Sequence, residues 1–337
     1  MTVKKLSIVI PYHNESEDII FPLLSSIDFQ VDINFDDIEV VISNNCDVPR
    51  DLTSLFTSLP NLNSVVKYIE SPVKSGMGQN RQNGLVHAIG EYVTFCDCDD
   101  SFDGPLSIKT ILDGIQSNKS LYKFLFRKEA PKNAFGELTL SEYAISDYIL
   151  HGSVFKKSFL TELGIQFCPY IFAFEDCYFN FVVEHLTIYE HVLKPIYMWK
   201  HNSKSMSRKV EEGFTTYIRK WRVDSLLWPY YGYITLKEIA PFKIDEMMLP
   251  ALNAITAVLD SCGMDTKDPL VISIVTEIVN DSKITEEFIR RTIKFDDASY
   301  SENLISWIDS LRGGSSDDFC TKYNIRRVLP YNYGDNI

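Results

Sequence analysis

The first hundred residues of this 337-residue chain predict an α/β fold built on a mixed, mainly parallel sheet flanked by helices. Short β-branched runs alternate with stretches of helical spacing, the pattern of strands joined by right-handed crossovers. The runs are apolar throughout rather than alternating, as expected of strands covered on both faces. Three of them end in polar residues: His13 and Asn14, Asn44 and Asn45, then Asp97 and Asp99. Ligands of such sheets bind beyond the carboxyl ends of the strands, so three polar strand ends on one rim predict a site.

In chain order, Leu6 to Ile10 is a compact run stopped by Pro11, followed by the polar loop Tyr12-His13-Asn14-Glu15-Ser16. Glu17 to Ile27 has helical spacing through Ile20, Leu23, Leu24 and Ile27. Ile38 to Ile42 predicts the second strand, Leu52 to Leu59 a short helix and Val65 to Ile69 the third strand. Gly76 opens a Gly- and Asn-rich turn into a helix over Arg81 to Ala88. Tyr92 to Cys96 then predicts a strand that runs into Asp97, Asp99 and Asp100. Three carboxylates at a buried strand end repel one another unless a positive charge sits among them. A divalent cation supplies that charge through carboxylate oxygens; the plainer alternative is an acidic turn capping the next helix. Leu121 to Arg127 predicts another strand, and Pro131 to Glu142 a polar connection. Glu175 and Asp176 open a helix, where two acids also complement the helix dipole.

Composition narrows the function classes. Hydrophobic residues at 45% and charged residues at 23% are ordinary globular values. A net charge of −13 speaks against nucleic acid or anionic lipid as a partner. The seven cysteines are scattered, and Cys96-x-Cys98 is too tight for zinc spacings, so reduced core thiols are expected. No stretch reaches 18 apolar residues, and Met1 to Lys5 runs straight into a strand. These features predict a cytoplasmic protein without a membrane span, peripheral association aside.

The block Leu6-Ser7-Ile8-Val9-Ile10-Pro11-Tyr12-His13-Asn14-Glu15 resembles the opening strand and loop of family 2 glycosyltransferases. Glu39 to Asp47 resembles that family's second strand and its acidic end. Gly78-Gln79-Asn80-Arg81-Gln82-Asn83-Gly84-Leu85 with Gly90-Glu91-Tyr92 resembles its Arg-Asn-x-Gly helix and following strand, and Asp97-Cys98-Asp99 stands at its D-x-D motif. Further on, Tyr148 to Leu160, Phe172 to Phe179 and Tyr197 to Ser207 resemble its strand–helix unit, Glu-Asp motif and closing basic loop. One D-x-D is a weak signal; four blocks in register from Leu6 to about Phe102 are a strong one.

The resemblance implies a GT-A (Rossmann-like) fold and metal-dependent, inverting transfer of a sugar from a nucleotide sugar to a hydroxyl. Its acceptor would be a glycan, a lipid-linked sugar or a protein. Pro11, Tyr12, His13, Glu15, Asn44, Arg81, Asp97, Cys98 and Lys204 would line the nucleotide-sugar site. Asp99 and His201 would hold Mn²⁺ or Mg²⁺, and Asp100 would cap the following helix. Asp176 would be the base and Glu175 would hold an acceptor hydroxyl, the two roles being exchangeable on sequence alone. Lys200, Lys204 or Arg208 would neutralise the leaving group. One departure concerns the base: the family's strand-two Asp, which accepts from the uracil imide, is here Asn44, so UDP is favoured over GDP or dTDP without being specified. A nucleotidyltransferase would want a Gly-rich basic loop after the first strand, which Tyr12 to Ser16 is not. A degenerate sugar- or nucleotide-binding module is supported by Asn44 alone.

The expected organisation is a catalytic domain over 1–209, with a nucleotide half at 1–102 and an acceptor half at 103–209. A helical region over 210–337 would follow, serving acceptor choice or oligomerisation. Its helices are expected at Phe214 to Trp228, Met247 to Leu259, Pro269 to Val279, Ile284 to Ile293 and Ser301 to Leu311. The aromatic cluster Trp228 to Tyr233 would lie between two of them.

Overall fold

The computed structural model describes residues 4–47, 52–71, 76–132, 137–145, 149–202, 214–243 and 272. The chain divides into two compact units, Met1–Phe214 and Thr215–Ile337.

The first unit opens with β1 (Leu6–Tyr12), α1 (Glu17–Asp28) and β2 (Ile38–Asn44). Two short helices follow, α2 (Thr53–Thr57) and α3 (Pro60–Asn63), then β3 (Val66–Glu70), α4 (Gly76–His87) and β4 (Tyr92–Phe95). It continues with β5 (Ser101–Phe102), α5 (Ser107–Gly114), β6 (Leu121–Pro131), β7 (Leu138–Leu140) and β8 (Ser153–Lys156). It closes with α6 (Lys157–Glu162), α7 (Glu175–Leu186) and β9 (Glu190–Trp199). One sheet runs in the order β3-β2-β1-β4-β8-β6-β9-β5, with β7 beside β6. The β3-β2-β1-β4 part is all parallel, as the alternating pattern predicts. The order reverses between β1 and β4, which makes their carboxyl ends the crevice where ligands of such sheets bind.

Core packing explains why these runs are apolar on both faces. Ile8, Ile10, Val40 and Ile42 are fully buried in one cluster with Ile20, Leu23, Leu24 and Ile27 of α1. Each such side chain contributes about 1.5–3 kcal/mol by leaving water. On the opposite face α4 has little apolar surface and docks by close approach instead. A Cβ at Gly84 would stand 2.3 Å from Val9 Cγ1, so only glycine lets this helix lie flush on β1. That contact carries Arg81, one turn earlier, to the strand ends.

The remaining strands deliver further segments to the same rim. β8 runs antiparallel to β4, with Thr94 opposite Val154, so His151 and Gly152 arrive beside the end of β4. Gly152 is required there: its φ is +75°, and a Cβ would meet Phe124 O at 2.5 Å. β9 runs parallel to β6 and antiparallel to β5, which brings Tyr197 to Asn202 alongside the segment after β4.

Several boundaries depart from expectation. Pro11 does not stop β1, which reaches Tyr12. β4 pairs with β1 only as far as Val9, so the missing Pro11 N–H falls where that neighbour has ended. The helix expected over Leu52 to Leu59 is shorter, Thr53–Thr57, and a further turn, Pro60–Asn63, follows it. The connection Pro131 to Glu142 contains β7, folded back antiparallel on β6.

In the second unit, α8 (Phe214–Ile239) encloses the Trp228-Pro229-Tyr230-Tyr231-Gly232-Tyr233 cluster within one helix rather than between two. Trp228 and Tyr233 are buried in it. The helices expected over Met247 to Leu259, Ile284 to Ile293 and Ser301 to Leu311 lie outside the described residues, as does that over Pro269 to Val279 apart from residue 272. Among the described residues, no helix is long and apolar enough to cross a membrane. Cys46, Cys96, Cys98, Cys168 and Cys177 are buried and form no disulfide.

Candidate active site

The rim is organised by one buried cation. Arg81 of α4 is 5% exposed and reaches two carboxylates from different parts of the chain. One terminal nitrogen bonds Asp97 Oδ1 at 2.5 Å, after β4; the other bonds Glu175 Oε1, at the start of α7. Burial alone would raise Asp97, but the charges of Arg81 and then His151 hold it below the usual carboxylate range. Glu175 goes the other way: burial outweighs Arg81, the Asp176 charge adds to it, and its carboxyl is pushed up to about 7. Asp176 is also raised by burial, although the Cys177 N–H donates to its Oδ1 at 2.9 Å. Glu175 has little room, since a Cβ on Gly78 would stand 3.0 Å from its Cγ.

Beside this tie lies the acidic segment after β4. Contrary to expectation, Asp100 does not cap the following helix, because α5 begins only at Ser107 with Leu106 as its N-cap. Instead Asp100 is buried, accepting from the Tyr197 hydroxyl and, at 2.8 Å, from the Lys200 N–H. Burial and the neighbouring Asp97 and Asp99 charges push its carboxyl well up. Asp99 Oδ2 accepts from Asn202 Nδ2 at 2.9 Å, which ties the D-x-D segment to the end of β9. His201 follows there: its N–H donates to Glu129 at 3.0 Å, and its Nδ1 is buried without a hydrogen-bond partner.

His151 is a participant that sequence reasoning missed. Its ring stacks on Tyr197 at 4.6 Å, meets Trp199 edge-on at 4.9 Å, and places Nε2 3.8 Å from Asp100 Oδ2. Burial lowers its pKa to about 4, and its Nδ1 has no partner. Asp97, Asp100 and His151 bring ligand atoms within 4.8 Å of one another. The available signal was positional: His151-Gly152 directly precedes the strand that pairs antiparallel with β4.

The residues expected at the nucleotide form the adjoining wall. Pro11 and Tyr12 are buried at the end of β1, the Tyr12 hydroxyl donating to Glu15 O at 2.7 Å. The Glu15 carboxylate accepts from the His13 N–H at 2.6 Å, and burial raises it. His13 Nδ1 lies 3.1 Å from Asn45 O. Cys98 is buried against Glu15, its thiol pushed well up by burial. Asn44 is fully buried, with its amide engaged by Glu70 and by the Cys46 N–H. Lys204 and Arg208 lie outside the described residues, whereas Lys200 is at the rim through its backbone. The structure thus brings Asp97, Asp99, Arg81, Glu175, Asp176 and His201 to one end of the sheet, and adds Asp100, His151 and Tyr197.

Residues 7–174 match the family model described as Glycosyl transferase family 2. A relative from Campylobacter jejuni, GalNAc(5)-diNAcBac-PP-undecaprenol beta-1,3-glucosyltransferase, is 33% identical over 105 residues. That match spans 31% of this chain and 32% of the relative. The solved structure of S. aureus TarS 1-349 in complex with UDP-GlcNAc superposes with a TM-score of 0.66 at 16% identity, covering 95% of this chain and 92% of that one. The same protein in complex with UDP gives 0.65 at 16% identity over 99% and 94% of the two chains. These structures share the GT-A-type fold. The family model spans the motif blocks, and on it this chain belongs to glycosyltransferase family 2.

Proposed function

We propose that the protein is a metal-dependent, inverting glycosyltransferase that moves a hexose from a nucleotide sugar, a UDP-sugar in the favoured case, onto a hydroxyl of a carbohydrate-type acceptor. The observation that carries this reading is the Asp97–Arg81–Glu175 tie. It joins the carboxylates expected beside the donor to those expected beside the acceptor, which is the proximity that direct transfer needs. Similar proteins support the substrate classes: TarS was solved with UDP-GlcNAc, and the C. jejuni enzyme is named for an undecaprenol-linked glycan.

The chemistry follows from the placement of the acids. Asp176, with a raised carboxyl, takes the proton of the acceptor hydroxyl as that oxygen attacks the anomeric carbon in line. The bond from that carbon to the diphosphate breaks with its electron pair leaving on the diphosphate, and configuration inverts without a covalent intermediate. Glu175, anchored by Arg81, fixes the first turn of α7 and so the direction of Asp176. Lys200, with Lys204 and Arg208 as expected from the basic loop, offers positive charge to the leaving group.

The residues present fit a divalent cation. Carboxylate oxygens of Asp97 and Asp100 and a ring nitrogen of His151 lie within 4.8 Å of one another, and the carboxylate oxygens suit Mn²⁺ or Mg²⁺. Asp99 and His201 would hold it, next to the Asp97–Asp100–His151 group. When bound, it neutralises charge developing on the diphosphate. Isothermal titration of UDP, GDP and dTDP, each with Mn²⁺ and with chelator, tests the reading. UDP binding that requires metal and disappears in Asp99→Ala is the expected result. Absence of nucleotide binding under every condition would overturn it.

A further inference from the structure

The geometry points to Glu70, at the end of β3, as the side chain that reads the nucleobase, with Asn44 as the residue that positions it. This rests on the nucleotide-sugar reading above and makes it specific: the base must carry a ring N–H beside a carbonyl, as uracil, thymine and guanine do and cytosine and adenine do not.

Three strands bring their last residues into one row, for Tyr12 stands opposite Asn44 on β2 and Asn44 opposite Glu70 on β3. Asn44 is fully buried and its amide is engaged at both ends. Its Oδ1 accepts from the Cys46 N–H at 3.0 Å, closing a local turn. Its Nδ2 donates to the Glu70 carboxylate, 3.2 Å from Oε1 and 3.1 Å from Oε2. Fully buried in this way, the amide presents no accessible group to a base. Glu70, in contrast, is exposed, and each carboxylate oxygen keeps a lone pair beyond the Asn44 bond. Its backbone is fixed as well, Asn83 Nδ2 donating to Glu70 O at 3.1 Å and the Ser71 N–H to Asn44 O at 2.7 Å. An exposed carboxylate acceptor at this strand end matches the ring N–H of an imide. Asn44 is then the counterpart of Glu70: an aspartate at 44 would set two carboxylates against each other, whereas an amide donates to the one that remains.

The assignment makes opposite predictions from a base read at position 44. Titration of the full chain with UDP and with CDP, both with Mn²⁺, should show UDP bound at least about tenfold more tightly, because cytosine turns a lone pair toward the carboxylate. Glu70→Gln, at an exposed position, should weaken UDP about tenfold or more and shrink the preference over CDP. Asn44→Asp should also weaken UDP, whereas a base read at position 44 requires it to bind as well or better. The exchange Asn44→Asp with Glu70→Gln restores one carboxylate and one amide and should recover most of the affinity. Unchanged thermal unfolding of Glu70→Gln separates these effects from misfolding at the buried Asn44. UDP affinity that is indifferent to Glu70→Gln, or raised by Asn44→Asp, overturns the assignment while leaving the donor site standing. A wild-type chain that binds no nucleotide overturns both.

Discussion

Replacing Arg81 with methionine removes the one charge that Asp97 and Glu175 share, and the consequence can be worked out from burial. The guanidinium is 5% exposed and the Glu175 side chain 8%, while Asp97 is 31% exposed. The Glu175 branch is therefore fully buried and the Asp97 branch partly screened. Removing one partner of a buried ion pair costs about 3–5 kcal/mol, because the other charge is left unpaired. Water reaching Asp97 favours the lower end, about 3 kcal/mol, which is about 6–12 °C in unfolding midpoint for a unit of this size.

The pH dependence has a defined sign. Without Arg81, the burial and Asp176 charge that already raise Glu175 are opposed only by a backbone hydrogen bond. An acid with its folded pKa raised binds more protons folded than unfolded, so stability is retained at low pH and lost as pH rises through the folded value. The deficit of Arg81→Met against wild type should thus be smaller at pH 5 than at pH 8. Adding Glu175→Gln should restore part of it, and a double-mutant cycle measures the coupling. Thermal unfolding of the four proteins at both pH values is the assay. A deficit below about 1 kcal/mol, or one independent of pH and of Glu175, would show that the tie does not organise the rim.

Other expectations follow from the same site. Transfer measured as kcat/KM should rise with pH through about 7 as the Glu175 carboxyl ionises, and Glu175→Gln should lose that limb. Asp176→Asn should lower kcat by about 100-fold or more with little change in nucleotide affinity, as loss of a general base predicts. Chelation and Asp99→Ala should have equal effects on UDP binding; a variant that still responds to added Mn²⁺ would place the metal elsewhere. Gly84→Ala forces a Cβ to within 2.3 Å of Val9 Cγ1 and should cost about 1–3 kcal/mol in urea unfolding, whereas a neutral result would mean that α4 does not lie flush on β1.

What was legible in the sequence, and what was not, divides along a physical line. Strands and their polar ends are local properties: the apolar run Leu6 to Ile10 and the Asp97 to Asp100 acids declare themselves within a few residues. A parallel α/β sheet then gathers strand ends on one rim by topology alone, so His13, Asn44 and Asp97 were foreseeable as neighbours. Partner choice among them is not local. Asp100 looked like a helix cap because four residues show only the turn it sits in. Its actual donors, Tyr197 and Lys200, are about a hundred residues away and arrive only because β9 pairs antiparallel with β5. Arg81 could be placed at the nucleotide-sugar site but not given its partner, for the same reason: nothing near it in sequence announces Glu175, 94 residues on. Asn44 is the most instructive case. Alone it reads as a replaced aspartate that leaves the base unspecified; opposite Glu70 it reads as the donor that lets a carboxylate stand there. A substitution in a polar rim therefore has no meaning by itself, because the cost of a buried charge or amide depends on what pairs with it across the sheet.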